Sequence, residues 1–585
     1  MSRIRSAVTS LDRRHFLTAA GAVGASAGIG LTLGVGRGSG EATAVAPAAA
    51  PAHPAVPSPR SAADTTTGAR APRVPARTTL DSVATPVETR TRYQRLADGP
   101  GWRRVVRREL AAPGAARASR RTTLTAFVQL TDLHLADVQH PVRTEYLRGA
   151  DLTGWRPQEA LSVPGAVALV ERINAIRNGP ATGSPLSFAV TTGDNTDNNS
   201  RAELDWYLTV MSGGRITPNT GDPRHYEGTQ NSGEKLYWQP GSTVRDVDTR
   251  LGFPRLAGYL DAVIRPVTSP GLRIPWYSTV GNHDALASGA MADRSGYLAE
   301  FAVGGRKLYA VTESEAEPLR KILTAGSHPS GDELVALLRR ERRHMRAVTP
   351  DERRAPFTPR DYLAAHLDPS RTGPGPHGHG YTADNLAANT QYYTFPMGEN
   401  VIGVSVDTTD RGGHFLGSVG TEQLTWLERT LTLHQDAHVI VFSHHNSWTM
   451  TNTHPDPAKP HEARHTGDEM VALLRRHHNV RAWVNGHSHR NRILPHGSFW
   501  EISTASHVDR PQLARVIEIA DNGDGTLSLF TTLIESGAPA RTDMQDLSQT
   551  GLASMYREFA HNAPGASTTA YGSADDRNTE LLLSR

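Results

Sequence analysis

Apolar positions in this chain gather into short runs, each closed by small polar residues. The stretches 123–130, 186–190, 274–280, 401–406, 439–442 and 480–484 have strand length and are rich in β-branched and aromatic residues. Between them the period changes. Val167, Val170, Ile173 and Ile176 recur near helical spacing, and Leu424, Leu427 and Leu431 do so behind Thr421, a candidate N-cap. Residues 468–477 read as another helix. Strands alternating with helices predict a layered α/β fold. Further strands are expected at 499–503, 515–519 and 527–533. A helix is expected at 547–560, then a polar, mobile end. Two polar stretches rich in Gly, Pro and Arg, about 212–272 and about 300–388, break the rhythm and read as insertions beside a site.

Composition narrows the chemistry. The 585 residues allow one large domain with insertions. A net charge of +3 makes no case for a nucleic-acid or stable membrane partner. The absence of cysteine excludes disulfides, thiolate metal sites and cysteine nucleophiles. Metal ligands would have to be His, carboxylate or amide groups. Near the N-terminus, Arg13-Arg14-His15-Phe16-Leu17 precedes an uncharged Gly- and Ala-rich run over 17–36. It resembles a twin-arginine signal, which implies export with the twin-arginine machinery as a partner. Ala44-Val45-Ala46 is a candidate cleavage site. The expected organisation is a signal over 1–46, a disordered linker over 47–79, a main domain over 80–540 and a C-terminal helix and tail over 541–585.

Five motifs follow strand-like runs in a fixed order: Asp132-Leu-His134, Gly193-Asp194, Gly281-Asn282-His283-Asp284, Val441-Phe-Ser-His444 and Gly486-His487-Ser-His489. Singly, each is an ordinary polar turn. Together they supply the oxygen and nitrogen donors that a two-cation phosphoester site needs. The ordered set resembles the calcineurin-like metallophosphoesterases. That resemblance implies a four-layer α/β/β/α sandwich with mixed sheets and two insertions. It implies two transition-metal ions (Mn, Fe or Zn), one held by Asp132, His134 and His489, the other by Asn282, His444 and His487, with Asp194 bridging. It implies hydrolysis of a small-molecule phosphodiester or monoester by a metal-bridging hydroxide, with His283 as general acid oriented by Asp284. Val441 selects His444 over His445 as ligand, which leaves His445 in a supporting or substrate-facing place.

Departures from family variants refine the reading. Purple acid phosphatases carry a tyrosine three residues after the bridging aspartate; here that residue is Asp197. Protein phosphatases end the third motif in Glu and have an arginine soon after the bridging aspartate; here the motif ends in Asp284 and that arginine is missing. The alternative to an enzyme is an inactive scaffold of the same fold, and the complete donor set argues against it. The loop over 373–380 with His377 and His379, the Arg411–His414 stretch, and His507 with Asp509 are further candidates near the site.

Overall fold

The computed structural model describes residues 78–89, 91–114, 117–324 and 331–585. The expected export signal and most of the expected linker lie outside the described residues. Among the described residues, no helix is long and apolar enough to cross a membrane.

Thirteen strands form the two large sheets: β1 (Val105–Leu110), β2 (Thr122–Leu130), β3 (Phe188–Thr192), β4 (Trp276–Thr279), β5 (Tyr393–Gly398), β6 (Val401–Ser405), β7 (His438–Phe442), β8 (Val480–Asn485), β9 (Arg492–Pro495), β10 (Trp500–Ser503), β11 (Leu513–Asp521), β12 (Thr526–Glu535) and β13 (Thr579–Ser584). The first sheet runs β1-β13-β12-β11-β2-β3-β4, the second β5-β6-β7-β8-β10-β9. Both are mixed. β2, β3 and β4 are parallel neighbours, as are β6, β7, β8 and β10, while β11 and β12 run antiparallel.

Side-chain alternation explains how the sheets meet. In β7, Ile440 and Phe442 join the core shared with the first sheet, and Val439 and Val441 join the core under helices α3 (Thr421–Leu433) and α4 (Gly467–Arg476). Phe127 of β2 meets Phe442 edge-on across the gap, with centroids 5.7 Å apart. Two earlier helices, Ser162–Ala175 and Arg201–Ser212, bury Val167, Val170, Tyr207 and Val210 in the core that contains β2 and β3. The cap before α3 is Gly420; Thr421 is the first helical residue and donates to the Ala463 carbonyl instead.

Three expectations need correction. The chain end is a strand, not a mobile tail: β13 inserts between β1 and β12, with Leu581, Leu582 and Leu583 buried. An isolated Leu-Leu-Leu run reveals nothing of partners 50 residues away. The insertion at 212–272 does not line the metal cleft; it braces the loop after β2 from behind, where Thr220 Oγ1 donates to Asp137 Oδ2 at 2.6 Å. Its Trp238 and Tyr259 pack on Phe559 of the helix Gln549–Asn562, at centroid distances of 4.8 and 6.3 Å for those two rings. The insertion at 300–388 splits in two. The helix Glu313–Thr324 reaches the cleft, whereas residues 359–381 pack behind β4, where Tyr362 Oη meets Ser278 Oγ at 2.9 Å.

Because β13 joins two neighbours that nothing else joins, a chain ending at Asn578 should lose its cooperative melting transition and accumulate as insoluble protein. Wild-type melting of that truncation, read by circular dichroism, would show that β13 is dispensable.

Candidate metal centre

The loops that leave β2, β3, β4, β7 and β8 depart from the same end of parallel strands and converge, where ligands gather in α/β folds. β2 delivers Asp132 and His134, β3 Asp194, β4 Asn282 and His283, β7 His444, and β8 His487 and His489. The donor atoms form two groups. In one, His489 Nε2 lies 3.2 Å from Asp132 Oδ1, and His134 Nε2 lies 4.0 Å from that oxygen and 3.5 Å from Asp194 Oδ2. In the other, His444 Nε2 lies 3.1 Å from Asp194 Oδ2 and 3.0 Å from Asn282 Oδ1. His487 Nδ1 is 3.1 Å from the same amide oxygen and 3.2 Å from His444 Nε2. Asp194 Oδ2 belongs to both groups.

The far nitrogens of these rings fix which atoms face inward. His134 Nδ1 is 2.9 Å from Asp197 Oδ1, His444 Nδ1 is 2.8 Å from the Thr192 carbonyl, and His489 Nδ1 is 2.7 Å from Asp509 Oδ2. Those acceptors have no proton to give, so Nδ1 is assigned the proton and Nε2 turns its lone pair inward. Lone pairs then face carboxylate oxygens and one another at about hydrogen-bond distance, which is repulsive unless positive charge lies between them. Asp132 Oδ1 and His134 Nε2 are buried with no hydrogen-bond partner. Each such orphan costs about 1–3 kcal/mol. Cations satisfy this donor set, and His, Asp and Asn suit Mn, Fe or Zn alike.

Electrostatics agrees. Burial would raise the Asp194 carboxyl, yet His444, His283 and His134 hold it well below the ordinary carboxylate range. Burial would lower His444, yet Asp194 and Asp132 raise it to about 9. His134, lowered to about 4 by burial and by His283, and His487, lowered by burial and by His445, keep neutral lone pairs. The centre therefore stabilises positive charge beside its carboxylates, at His444 and at His489, which Asp132 and Asp509 raise against burial, while His134 and His487 keep neutral lone pairs.

Backbone geometry is concentrated on the same atoms. Asp132, His134, Asp194, His487 and His489 all adopt left-handed φ, between 43° and 62°. Each costs roughly 1–2 kcal/mol for a residue with a Cβ. Two glycines let loops approach closely, Gly486 across the two sheets and Gly281 between the neighbouring strands β3 and β4. A Cβ at Gly486 would lie 1.9 Å from Thr131 Oγ1, and one at Gly281 would lie 2.3 Å from Asp194 N.

A polar ring supports the ligands. Asp197 accepts from His134 Nδ1 and from Arg143, while its own carbonyl accepts His283 Nδ1 at 2.7 Å. Asp509 accepts from His489 and from Arg156 Nε at 2.8 Å. Arg156 Nη1 also lies 3.9 Å from Asp197. Buried Arg143 holds Glu145 and Glu159 as well, at 2.9 and 2.7 Å.

No family model matches the chain. A 92-residue stretch is 33% identical to the manganese-dependent ADP-ribose/CDP-alcohol diphosphatase of Danio rerio, covering 15% of this chain and 27% of that protein. The chain thus spans about a quarter of the curated relative it matches. Among solved structures, a dimetal phosphatase from Danio rerio gives a TM-score of 0.33 at 11% identity, over 71% of this chain and 100% of that one. Purple acid phosphatase PPD1 from yellow lupin gives 0.25 at 9% identity, over 75% and 53%. Scores this low decide nothing by themselves. The ordered motifs, on a mixed α/β fold that brings their donors into two groups around Asp194, are similar to those of the calcineurin-like metallophosphoesterases.

Some sequence expectations move. Asp284 does not touch the His283 ring. Its carboxylate accepts from the backbone N–H groups of Asn195, Thr196 and Gly281 and so ties the second motif to the third. The His283 ring is held by the Asp197 carbonyl instead. His445 does not face substrate: its Nδ1 meets Thr408 Oγ1 at 2.9 Å and its Nε2 the Phe415 carbonyl at 3.0 Å, both inside the protein. His379 stacks on Trp276 with centroids 3.4 Å apart, behind β4. Arg411 lines a separate cavity and pairs with Asp407. The His507 backbone N–H braces the Thr131 and Asp132 carbonyls while its ring stays in the interior. The sequence reading missed the orienting roles of Asp197 and Asp509. The only available signal was their position, each just beyond a strand leading to the site.

Replacing Asp509 by Asn should weaken metal binding roughly 10–100-fold, read by calorimetric titration of Mn, Zn and Fe into the stripped full chain. Unaltered affinity would show that the His489–Asp509 contact does not orient the ligand.

Proposed function

We propose that this chain is a metallophosphoesterase that hydrolyses small-molecule phosphodiesters or phosphomonoesters at two metal ions. Asp132, His134 and His489 would hold one ion, Asn282, His444 and His487 the other, with Asp194 shared. The observation that carries this reading is the pair of donor groups meeting at a single carboxylate oxygen. When bound, such ions screen the phosphoryl charge, lower the pKa of a water and align attack with departure.

The chain's own residues do the rest. Five of the seven donor residues, His134, Asp194, Asn282, His487 and His489, line a cleft of about 290 Å³ that His283 also lines. With Nδ1 committed to the Asp197 carbonyl, His283 has its other nitrogen available to give a proton to a departing oxygen. Arg156, fixed by Asp509, also lines the cleft, where its remaining N–H groups can bind phosphoryl oxygens. Leu147, Leu323 and Phe415 give the cleft an apolar wall for the esterified group. The printed name of the matched Danio rerio relative makes manganese the first ion to test. The Arg13-Arg14 segment supports export of the loaded enzyme.

Asp194→Asn and Asn282→Ala should each abolish turnover of chromogenic mono- and diesters in the presence of Mn, Zn or Fe. His283→Ala should lower kcat by about 10²–10⁴-fold with metal content intact. Turnover that survives both the Asp194 and the Asn282 changes would contradict the two-ion reading.

A further inference from the structure

Beside the metal cleft lies a second one, of about 210 Å³, and the two share Thr153, Arg156, Ser488 and His489 as lining. They are therefore two arms of one depression. The second arm is basic: Arg490, Arg492 and Arg510 join Arg156 along it. Among the described residues lining it, Asp509 is the one carboxylate, and Asp509 already accepts from Arg156 and His489.

The way these arginines are held is the informative part. Arg490 donates Nη2 to Thr569 Oγ1 at 2.7 Å. Arg492 lies over Trp448, its Cζ 4.5 Å from the ring centroid, and Arg510 lies over Tyr571 at 5.3 Å. Neither Arg492 nor Arg510 has a carboxylate partner within 4.0 Å among the described residues, and Arg510 Nε is buried with no hydrogen-bond partner. Aromatic faces orient a guanidinium and leave its in-plane N–H fork unspent. Such a fork matches a phosphoryl or carboxylate group. The loop at 563–567 lines the arm as well.

We propose that this arm binds a second anionic group of the substrate, beyond the scissile phosphorus, and so selects phosphoesters that carry two anionic centres. This rests on the phosphoesterase reading above and names its substrate class. Arg492 and Arg510 are the specificity-determining residues, and Arg156 sits where the arms join. A diphosphate-bridged diester supplies the required chemistry: one phosphorus at the metal donors, the other at the arginine fork.

The test compares the full chain with an Arg492→Gln, Arg510→Gln double variant. The substrates are bis(4-nitrophenyl) phosphate, with one phosphorus, and diadenosine diphosphate, with two. The ratio of kcat/KM for the two-phosphorus substrate over the one-phosphorus substrate should fall at least 10-fold in the double variant. An unchanged ratio, including an equal loss on both, overturns the subsite. Calorimetric binding of inorganic pyrophosphate to the same proteins reads the arm without turnover, and should weaken at least 5-fold in the variant; unchanged affinity also overturns it. A wild-type chain that binds pyrophosphate through these arginines but turns over neither substrate would refute the phosphoesterase reading and leave the anion site standing. If the double variant melts early, the two single Gln variants carry the same comparisons.

Discussion

Lone pairs aimed at one another are the constraint on which the rest of this molecule depends. Imidazole nitrogens, carboxylate oxygens and an amide oxygen converge in a buried space, and around Asp194 Oδ2 they approach to 3.1–3.5 Å. His444 and His489, both raised by the carboxylates beside them, answer part of that arrangement, but Asp132 Oδ1 and His134 Nε2 stay buried without a hydrogen-bond partner. The protein invests left-handed backbone at five of the seven donors to hold it. Residues with a Cβ rarely accept that conformation, and strain of this kind concentrates where function requires it. Positive charge supplied from outside the chain is what makes the packing favourable.

The fold reads as a device for producing this convergence. Parallel strands direct their carboxyl ends the same way, and two facing sheets bring five such ends to one locus. The glycines at 281 and 486 remove the Cβ atoms that would keep these loops apart. Behind the donors, Asp197 and Asp509 fix ring orientation, and Arg156 bonds to one and approaches the other. Arg156 also belongs to both arms of the cleft, so the side chain that braces the ligands lies where the two arms join.

Much of this was legible in the sequence, for a physical reason. Strands buried on both faces must be apolar and β-branched, so Val439 to Phe442 and Val480 to Val484 announced themselves, as did the polar loops that end them. The donors were legible because ligand chemistry restricts residue type. Orientation was less so. Asp197 is 63 residues from His134, and Asp509 is 20 from His489; no local pattern joins such pairs. The family resemblance implied that Asp284 orients His283, yet neighbours in sequence diverge at a turn, and its carboxylate caps backbone N–H groups instead. β13 was missed because its stability comes from β1 and β12 on either side, not from its own six residues. The insertions were read as polar lengths of chain, and only packing separates the part that reaches the cleft from the parts that do not.

The most direct measurement is anomalous diffraction from crystals of the full chain grown with manganese. Two peaks should appear, one within coordinating distance of Asp132, His134 and His489, the other of Asn282, His444 and His487, with the Asp194 carboxylate between them. A single peak, or none at these donors, would contradict the account.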